Sequence, residues 1–295
     1  MKTSISLVSE HCLNADFLKQ IKESGFDGVD FIFDKTFFAY EDKDFVLGKI
    51  RENLDTAGLA CAQIHFPYYS MLSSSELLDE EMEARILYTL THMNMLGAKW
   101  GALHPRSAVN YGFDRERSLE DNIRSIQTYL ETAEKYDVGI AIENLPFFAD
   151  NPQNRFFGFR AEELCELIDR LNHPLVGVCW DFGHSNLSGF DQFGRPYILD
   201  CDTKKELETM GNRVKIVHAH DNYGDYDFHH CPTFGTVRWY DLLPVLFKSG
   251  FSGYFSLECE TKLPLEGMLY PYLKMCGKVA RSLTDEIEAI LTSNR

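Results

Sequence analysis

The stretch Val138-Gly139-Ile140-Ala141-Ile142-Glu143 alternates large apolar residues with small ones and ends on a carboxylate. Side chains alternate across a strand, so Val138, Ile140 and Ile142 share one face and Gly139, Ala141 and Glu143 the other. The bulky face must pack against helices. The small face then lines a narrow interior, with Glu143 pointing into it at the C-terminal end of the strand. Helices outside and a confined interior inside are what a closed parallel α/β sheet requires.

The same pattern extends in both directions. Strand-type runs recur at 4–9, 28–33, 59–66, 99–104, 138–143, 175–181, 213–220 and 253–258. Helical spacing fills the gaps. Phe17, Leu18 and Ile21 repeat on one face; so do Phe45, Val46, Ile50 and Leu54, and Leu119, Ile123, Ile126 and Leu130. Ser24-Gly25, Ala57-Gly58, Leu96-Gly97 and Ser249-Gly250 each close a helix just before a strand, where glycine accepts the left-handed conformation. Eight strand–helix units predict an α/β fold, a (β/α)8 TIM barrel, as a single domain over 1–295. A doubly wound open sheet would carry a glycine-rich phosphate loop after an early strand, and no G-x-G-x-x-G occurs. Longer loops are expected at 151–159 and 189–196.

Strand parity also places the polar residues. Cys61, Gln63 and His65 are expected to face inward, as are Ala102 and His104. Asp181 shares its face with Gly177 and Cys179. His218 and His220 share theirs with Val214 and Ile216. Glu258 lies opposite Phe255 and Leu257. Thus His65, His104, Glu143, Asp181, His218 and Glu258 gather at the C-terminal ends of six successive strands, where barrel active sites form. Buried carboxylates are costly unless paired or metal-bound. No Lys or Arg stands at these strand ends, so a divalent cation is expected, held by carboxylates and imidazoles. Asp181-Phe182-Gly183-His184 and Asp227-Phe228-His229-His230 add donors on the same face. His11 in a loop, His92 in a helix and His173 at a helix end read as ordinary core or surface groups. His220 reads as a pocket or supporting residue rather than a ligand.

The chain has 29 Lys plus Arg against 45 Asp plus Glu, a formal charge of −16. That balance disfavours nucleic acid as a partner, because phosphate binding runs on Lys and Arg. Arg106, Arg155, Arg160, Arg195 and Arg238 are the candidate phosphate contacts. No apolar run approaches the ~20 residues of a membrane span, and the first eight residues are too short and polar for a secretory leader. Eight cysteines without a C-x-x-C pair read as reduced thiols in a cytoplasmic protein. A homo-oligomer stays open.

Five short motifs now give the chain a resemblance: His65-Phe66-Pro67-Tyr68, His104-Pro105, Ala141-Ile142-Glu143-Asn144-Leu145, Val178-Cys179-Trp180-Asp181-Phe182-Gly183-His184 and His218-Ala219-His220-Asp221-Asn222. With Gly25-Phe26-Asp27-Gly28-Val29-Asp30, their order and strand placement resemble the xylose-isomerase-like barrel superfamily. That superfamily holds sugar isomerases and epimerases, including tagatose and psicose epimerases, with endonuclease IV as a divergent branch. The epimerase branch implies one metal, Mn²⁺ or Zn²⁺, held by Glu143, Asp181, His218 and Glu258, with His184 touching substrate. The two glutamates would then be catalytic, moving a proton beside a carbonyl of a small carbohydrate substrate. The endonuclease branch implies three zinc ions and adds His65, His104, His184, Asp227 and His229 as ligands. All nine residues are present. Glu143-Asn144-Leu145-Pro146-Phe147-Phe148, the D-F-G-H turn and the H-D-N after strand 7 are of the sugar type. Isomerase or epimerase chemistry is therefore the leading expectation. The alternatives are a zinc phosphoesterase, a dehydratase or lyase on the same metal site, or a barrel that binds without turnover.

Overall fold

The computed structural model describes residues 1–73, 80–109, 112–147, 155–187, 202–261 and 267–293. Eight parallel strands form where the alternation expects them: β1 (Thr3–Val8), β2 (Gly28–Ile32), β3 (Ala60–His65), β4 (Trp100–Leu103), β5 (Gly139–Glu143), β6 (Val176–Asp181), β7 (Val214–His218) and β8 (Phe255–Leu257). They pair in the order β7-β6-β5-β4-β3-β2-β1-β8. The remaining seam, β7 to β8, closes just past the end of β7. A parallel bridge joins Ala219 to Leu257, and Ala219 N donates to Ser256 O at 2.8 Å. The result is a (β/α)8 barrel. A small three-stranded sheet, Leu72–Ser73 with Ser107–Val109 and Phe113–Asp114, stands apart from it.

Helices cover the outside of the barrel. Ile140, Ile142, Leu103, Phe255 and Leu257 are buried in one continuous core between strands and helices. The interior wall of β4–β7 is a separate small cluster of Ala102, Ala141, Cys179 and Ile216. This is the division that the opening stretch of alternating residues implies. Gly25, Gly58, Gly97 and Gly250 all take positive φ at the ends of helices, as expected. Among the described residues no helix is long and apolar enough to cross a membrane.

Two β-bulges overturn two details of the parity reading. The β2–β3 register shifts between Val29 and Asp30, so that Cys61 pairs with Val29 but Gln63 with Asp30. Ala62 is the extra residue, and Cys61 turns out into the helix-facing core instead of inward. The β6–β7 register shifts likewise between Val214 and Ile216. Val214 therefore joins the outer core, while Ile216 lines the interior. Two smaller corrections concern helices. In Lys43–Ala57 the buried face is Leu47, Ile50, Asn53 and Leu54, and Phe45 in the first turn is 70 % exposed. His11 lies in a short helix, Ser9–Leu13, and not in a loop. Residues 148–154 and 188–201, including Phe148, Arg195 and Cys201, lie outside the described residues, so most of the two expected long loops does too.

Candidate metal centre

Glu143 ends β5, Asp181 ends β6 and His218 ends β7, all essentially sealed from solvent. Glu258 stands one residue past β8 and is the most open of the four, its side chain 14 % exposed. One ligand atom from each of these four residues lies within 4.8 Å of the others. His218 Nδ1 is the hub: it sits 3.3 Å from Glu143 Oε1, 3.2 Å from Glu258 Oε2 and 3.9 Å from Asp181 Oδ2.

The five other expected residues flank this set. His65 Nε2 and His104 Nε2 approach Glu143 Oε2 at 3.3 and 3.4 Å. On the other side His184 Nε2 and His229 Nε2 approach Asp227 Oδ2 at 3.4 and 3.2 Å. All nine residues thus converge on one mouth. His92 and His173 pair with Asp44 and Glu134 on helix surfaces, outside this cluster. Arg155 is taken by Glu163, Arg160 by Glu206 and Arg238 by Asp202 and Asp241, and Arg106 is buried.

Local structure fixes the donors. Asp181 is also the N-cap of the short helix Phe182–Asn186, accepting from His184 N at 2.6 Å. That turn brings His184 back over the strand ends, and its Nδ1 donates to Asn144 O at 2.9 Å. Asn144 clasps β6 a second time, donating to Asp181 O and accepting from Asp181 N. His65 Nδ1 donates to Phe66 O at 2.6 Å, which turns its Nε2 toward Glu143. His229 Nδ1 donates to Glu258 O at 2.7 Å, which turns its Nε2 toward Asp227.

Parity had missed four supporting residues. Asp30, on β2 between the outward Val29 and Phe31, is fully buried and lies 3.0 Å from His218 Nε2. Asp221 ties down the loop after β7, accepting from Asn222 N, Val237 N, Thr233 N and Trp239 Nε1. Tyr68 packs on His65, ring centroids 4.4 Å apart, and brings its hydroxyl within 3.5 Å of Glu258. Asn144 is the fourth. Asn144 and Asp221 directly follow residues already singled out, Glu143 and His220, whereas Asp30 and Tyr68 have no such neighbour.

Electrostatics explain how so many buried acids coexist. Burial raises the Glu143 carboxyl, but His218, His104 and His184 outweigh it and hold the group well below its usual range. Burial alone would lower His218; Cys179, Glu143, Glu258 and Asp30 instead raise it well above its ordinary value. His184 is raised in the same way by Asp181, Asp227 and Glu143 against its burial. His104 is lowered, by burial. The imidazoles thus favour the charged form of the carboxylates, a role that a divalent cation would also fill.

The donor set fits such a cation. Glu143 Oε2, Asp181 Oδ2, Asp227 Oδ1, His65 Nε2 and both ring nitrogens of His218 and His220 are buried with no hydrogen-bond partner among the described residues. Atoms 3–4 Å apart that face a common point without hydrogen-bond geometry are spaced like ligands around an ion. Mixed oxygen and imidazole donors suit Mn²⁺ or Zn²⁺ alike.

Known proteins share this frame. A D-tagatose 3-epimerase-like protein superposes with a TM-score of 0.75 at 20 % identity, covering 100 % of this chain and 99 % of that one. D-psicose 3-epimerase from Clostridium cellulolyticum H10 gives 0.70 at 16 % identity, covering 99 % of both. An uncharacterized protein of Methanocaldococcus jannaschii is 29 % identical over 140 residues, 48 % of this chain and 43 % of its own length. A probable endonuclease 4 of Mycoplasmoides gallisepticum is 28 % identical over 180 residues, 56 % of each. The chain therefore spans about half the length of these curated relatives. The family model of the xylose isomerase-like TIM barrel matches residues 18–271, and the chain belongs to that family.

Proposed function

We propose that the protein is a metal-dependent isomerase or epimerase of a sugar, sugar phosphate or related polyol. The observation that carries this reading is the four-residue set Glu143, Asp181, His218 and Glu258, with ligand atoms mutually within 4.8 Å at the barrel mouth. A divalent cation bound there supplies a Lewis acid for the substrate carbonyl and its neighbouring hydroxyl. The chain's own part is proton transfer. Glu258, the more open carboxylate, meets the carbon beside the carbonyl and takes its proton; Glu143 returns a proton, or the two exchange roles. His184, fixed through Asn144, orients a substrate oxygen. Tyr68 closes the mouth over His65 and Glu258 and keeps water from the reacting carbon. Similarity to epimerases of D-tagatose and D-psicose supports a small carbohydrate as substrate.

A zinc phosphoesterase is the second reading. One arrangement favours it: His65, His104 and Glu143 form a second group able to hold a cation, and Asp181, His184 and His220 a third. Similarity to a probable endonuclease 4 points the same way.

Turnover in heavy water separates the two. Isomerase or epimerase chemistry places solvent deuterium on the carbon beside the carbonyl of a ketose or its phosphate. Glu258→Gln stops that exchange while sugar binding stays measurable, because the amide keeps size but cannot act as a base. A dehydratase or lyase shows the same exchange together with loss of water or carbon–carbon cleavage in the product. Cleavage of abasic DNA with no exchange into any ketose overturns the isomerase reading.

A further inference from the structure

The geometry points to Asp30 as the residue that positions His218, an inference that rests on the metal centre proposed above. Asp30 lies on β2 and is fully buried, with its Oδ2 3.0 Å from His218 Nε2. The other ring nitrogen, Nδ1, faces Glu258 and Glu143 at 3.2 and 3.3 Å. A neutral imidazole carries one N–H and one lone pair; with the Nδ1 lone pair given to a cation among Glu143, Asp181 and Glu258, the one proton stays on Nε2, where it faces Asp30. Asp30 thus holds the proton on Nε2 and leaves the lone pair at Nδ1, the nitrogen aimed at the cluster. It also fixes the tilt of the ring.

The rest of the barrel interior is built to hold Asp30 in turn. Ser6 Oγ on β1 donates to Asp30 Oδ2 at 3.0 Å. Gln63 Nε2 on β3 donates to the same oxygen at 3.2 Å and to Val217 O, next to His218, at 3.1 Å. Ser4, Ser6, Asp30, Gln63 and Ser256 are all buried polar residues contributed by β1, β2, β3 and β8. The wall of β4–β7 is apolar across from them, with Ala102, Ala141, Cys179 and Ile216. The polar half therefore reaches across the barrel to one ligand on β7. Carboxylates behind a ligating histidine tune metal affinity, and their loss typically weakens it by about 10–100-fold.

The test uses the full chain stripped with a chelator and titrated with Co²⁺, followed by calorimetry and by the visible spectrum of the bound ion. Asp30→Asn keeps the size and hydrogen-bonding atoms but removes the charge. It should retain the fold, bind Co²⁺ about 10–100-fold more weakly, and shift the spectrum. Ser6→Ala, which removes one donor from Asp30, should weaken binding by a smaller factor in the same direction. A merely structural Asp30 would lower the melting temperature and leave Co²⁺ affinity and spectrum alone, and that result overturns the inference. Should Asp30→Asn not fold, unchanged Co²⁺ affinity in Ser6→Ala overturns it instead. If the parent protein binds no Co²⁺ at all, the metal centre itself fails and this inference with it.

Discussion

The imidazole of His220 occupies the space where a side chain on Gly183 would stand: a Cβ there would come within 1.9 Å of its ring. His220 is fully buried, its Nε2 3.1 Å from Asp181 Oδ1 and 3.6 Å from Asp227 Oδ1, and its ring stacks on His229 at 4.0 Å. A rigid ring so enclosed cannot move aside cheaply. The glycine of the D-F-G-H turn is thus required by a histidine just past the next strand.

Gly183→Ala should therefore displace His220 and loosen Asp181 and His184, which sit on the same turn. Overpacking of this kind costs about 1–3 kcal/mol. Denaturant unfolding should report that loss, and metal titration a weaker affinity. A variant equal to the parent in both measurements would contradict the packing described.

Asp221 offers a test of the loop that carries Asp227 and His229. Its two oxygens accept four hydrogen bonds from Asn222, Val237, Thr233 and Trp239 at 2.8–3.0 Å, in full burial. Asp221→Ala leaves four donors without a partner. At ~1–3 kcal/mol for each unsatisfied buried group, partly relieved by water, the loss should be roughly 3 kcal/mol or more. Urea denaturation measures it directly, and a change below 1 kcal/mol would mean the loop is held by other contacts.

The dependence on pH follows from the imidazoles. Burial alone would lower His229, but its hydrogen bond to Asp227 and the charges of Glu258, Asp227 and Asp181 carry it up to about 10. His184 and His218 are raised in the same direction. A raised histidine stabilises fully below its unfolded value of ~6.5, and the contribution is lost as pH rises through the folded value. Glu143, Asp181 and Asp227 are lowered, so their contribution holds above the unfolded carboxylate range and fades only as pH falls through the folded values. Metal-free protein should thus lose melting temperature steadily between pH ~6.5 and about 10. A cation displaces the same protons, so the gap between metal-loaded and metal-free melting temperatures should widen across that window. A gap independent of pH would separate metal binding from these histidines.

Much of this candidate site is legible in the sequence, because barrel strands with a small interior face expose their parity. The pairing of Val138, Ile140 and Ile142 against Gly139, Ala141 and Glu143 is one such case, and Asp181 behind Gly177 and Cys179 is another. The two bulges are not legible: Ala62 adds one residue to β3 without changing its composition, yet it turns Cys61 to the other face. Asp30 is equally silent, since its partner His218 is distant in sequence and nothing local marks a mid-strand carboxylate as a supporting group. His104 and Glu258 stand one residue beyond β4 and β8 and still point to the mouth. Parity survives over that single step.

The number of cations separates the two functional readings through single residues. Asp181→Ala and His218→Ala each remove a ligand from the four-residue set and should lower metal content under either reading. His104→Ala acts differently. His104 approaches only the outer oxygen of Glu143, at 3.4 Å, whereas Glu143 Oε1 faces His218. With one cation in the four-residue set, His104→Ala should leave metal content unchanged and alter only the fit of substrate. With three zinc ions, it removes a ligand from the ion shared by His65, His104 and Glu143 and should lower the count by about one per chain. Elemental analysis of the purified parent and variant, read beside the deuterium-exchange and abasic-DNA assays, decides the matter. A drop in His104→Ala together with abasic-site cleavage would overturn the isomerase reading, and an unchanged count with exchange into a ketose would exclude the phosphoesterase.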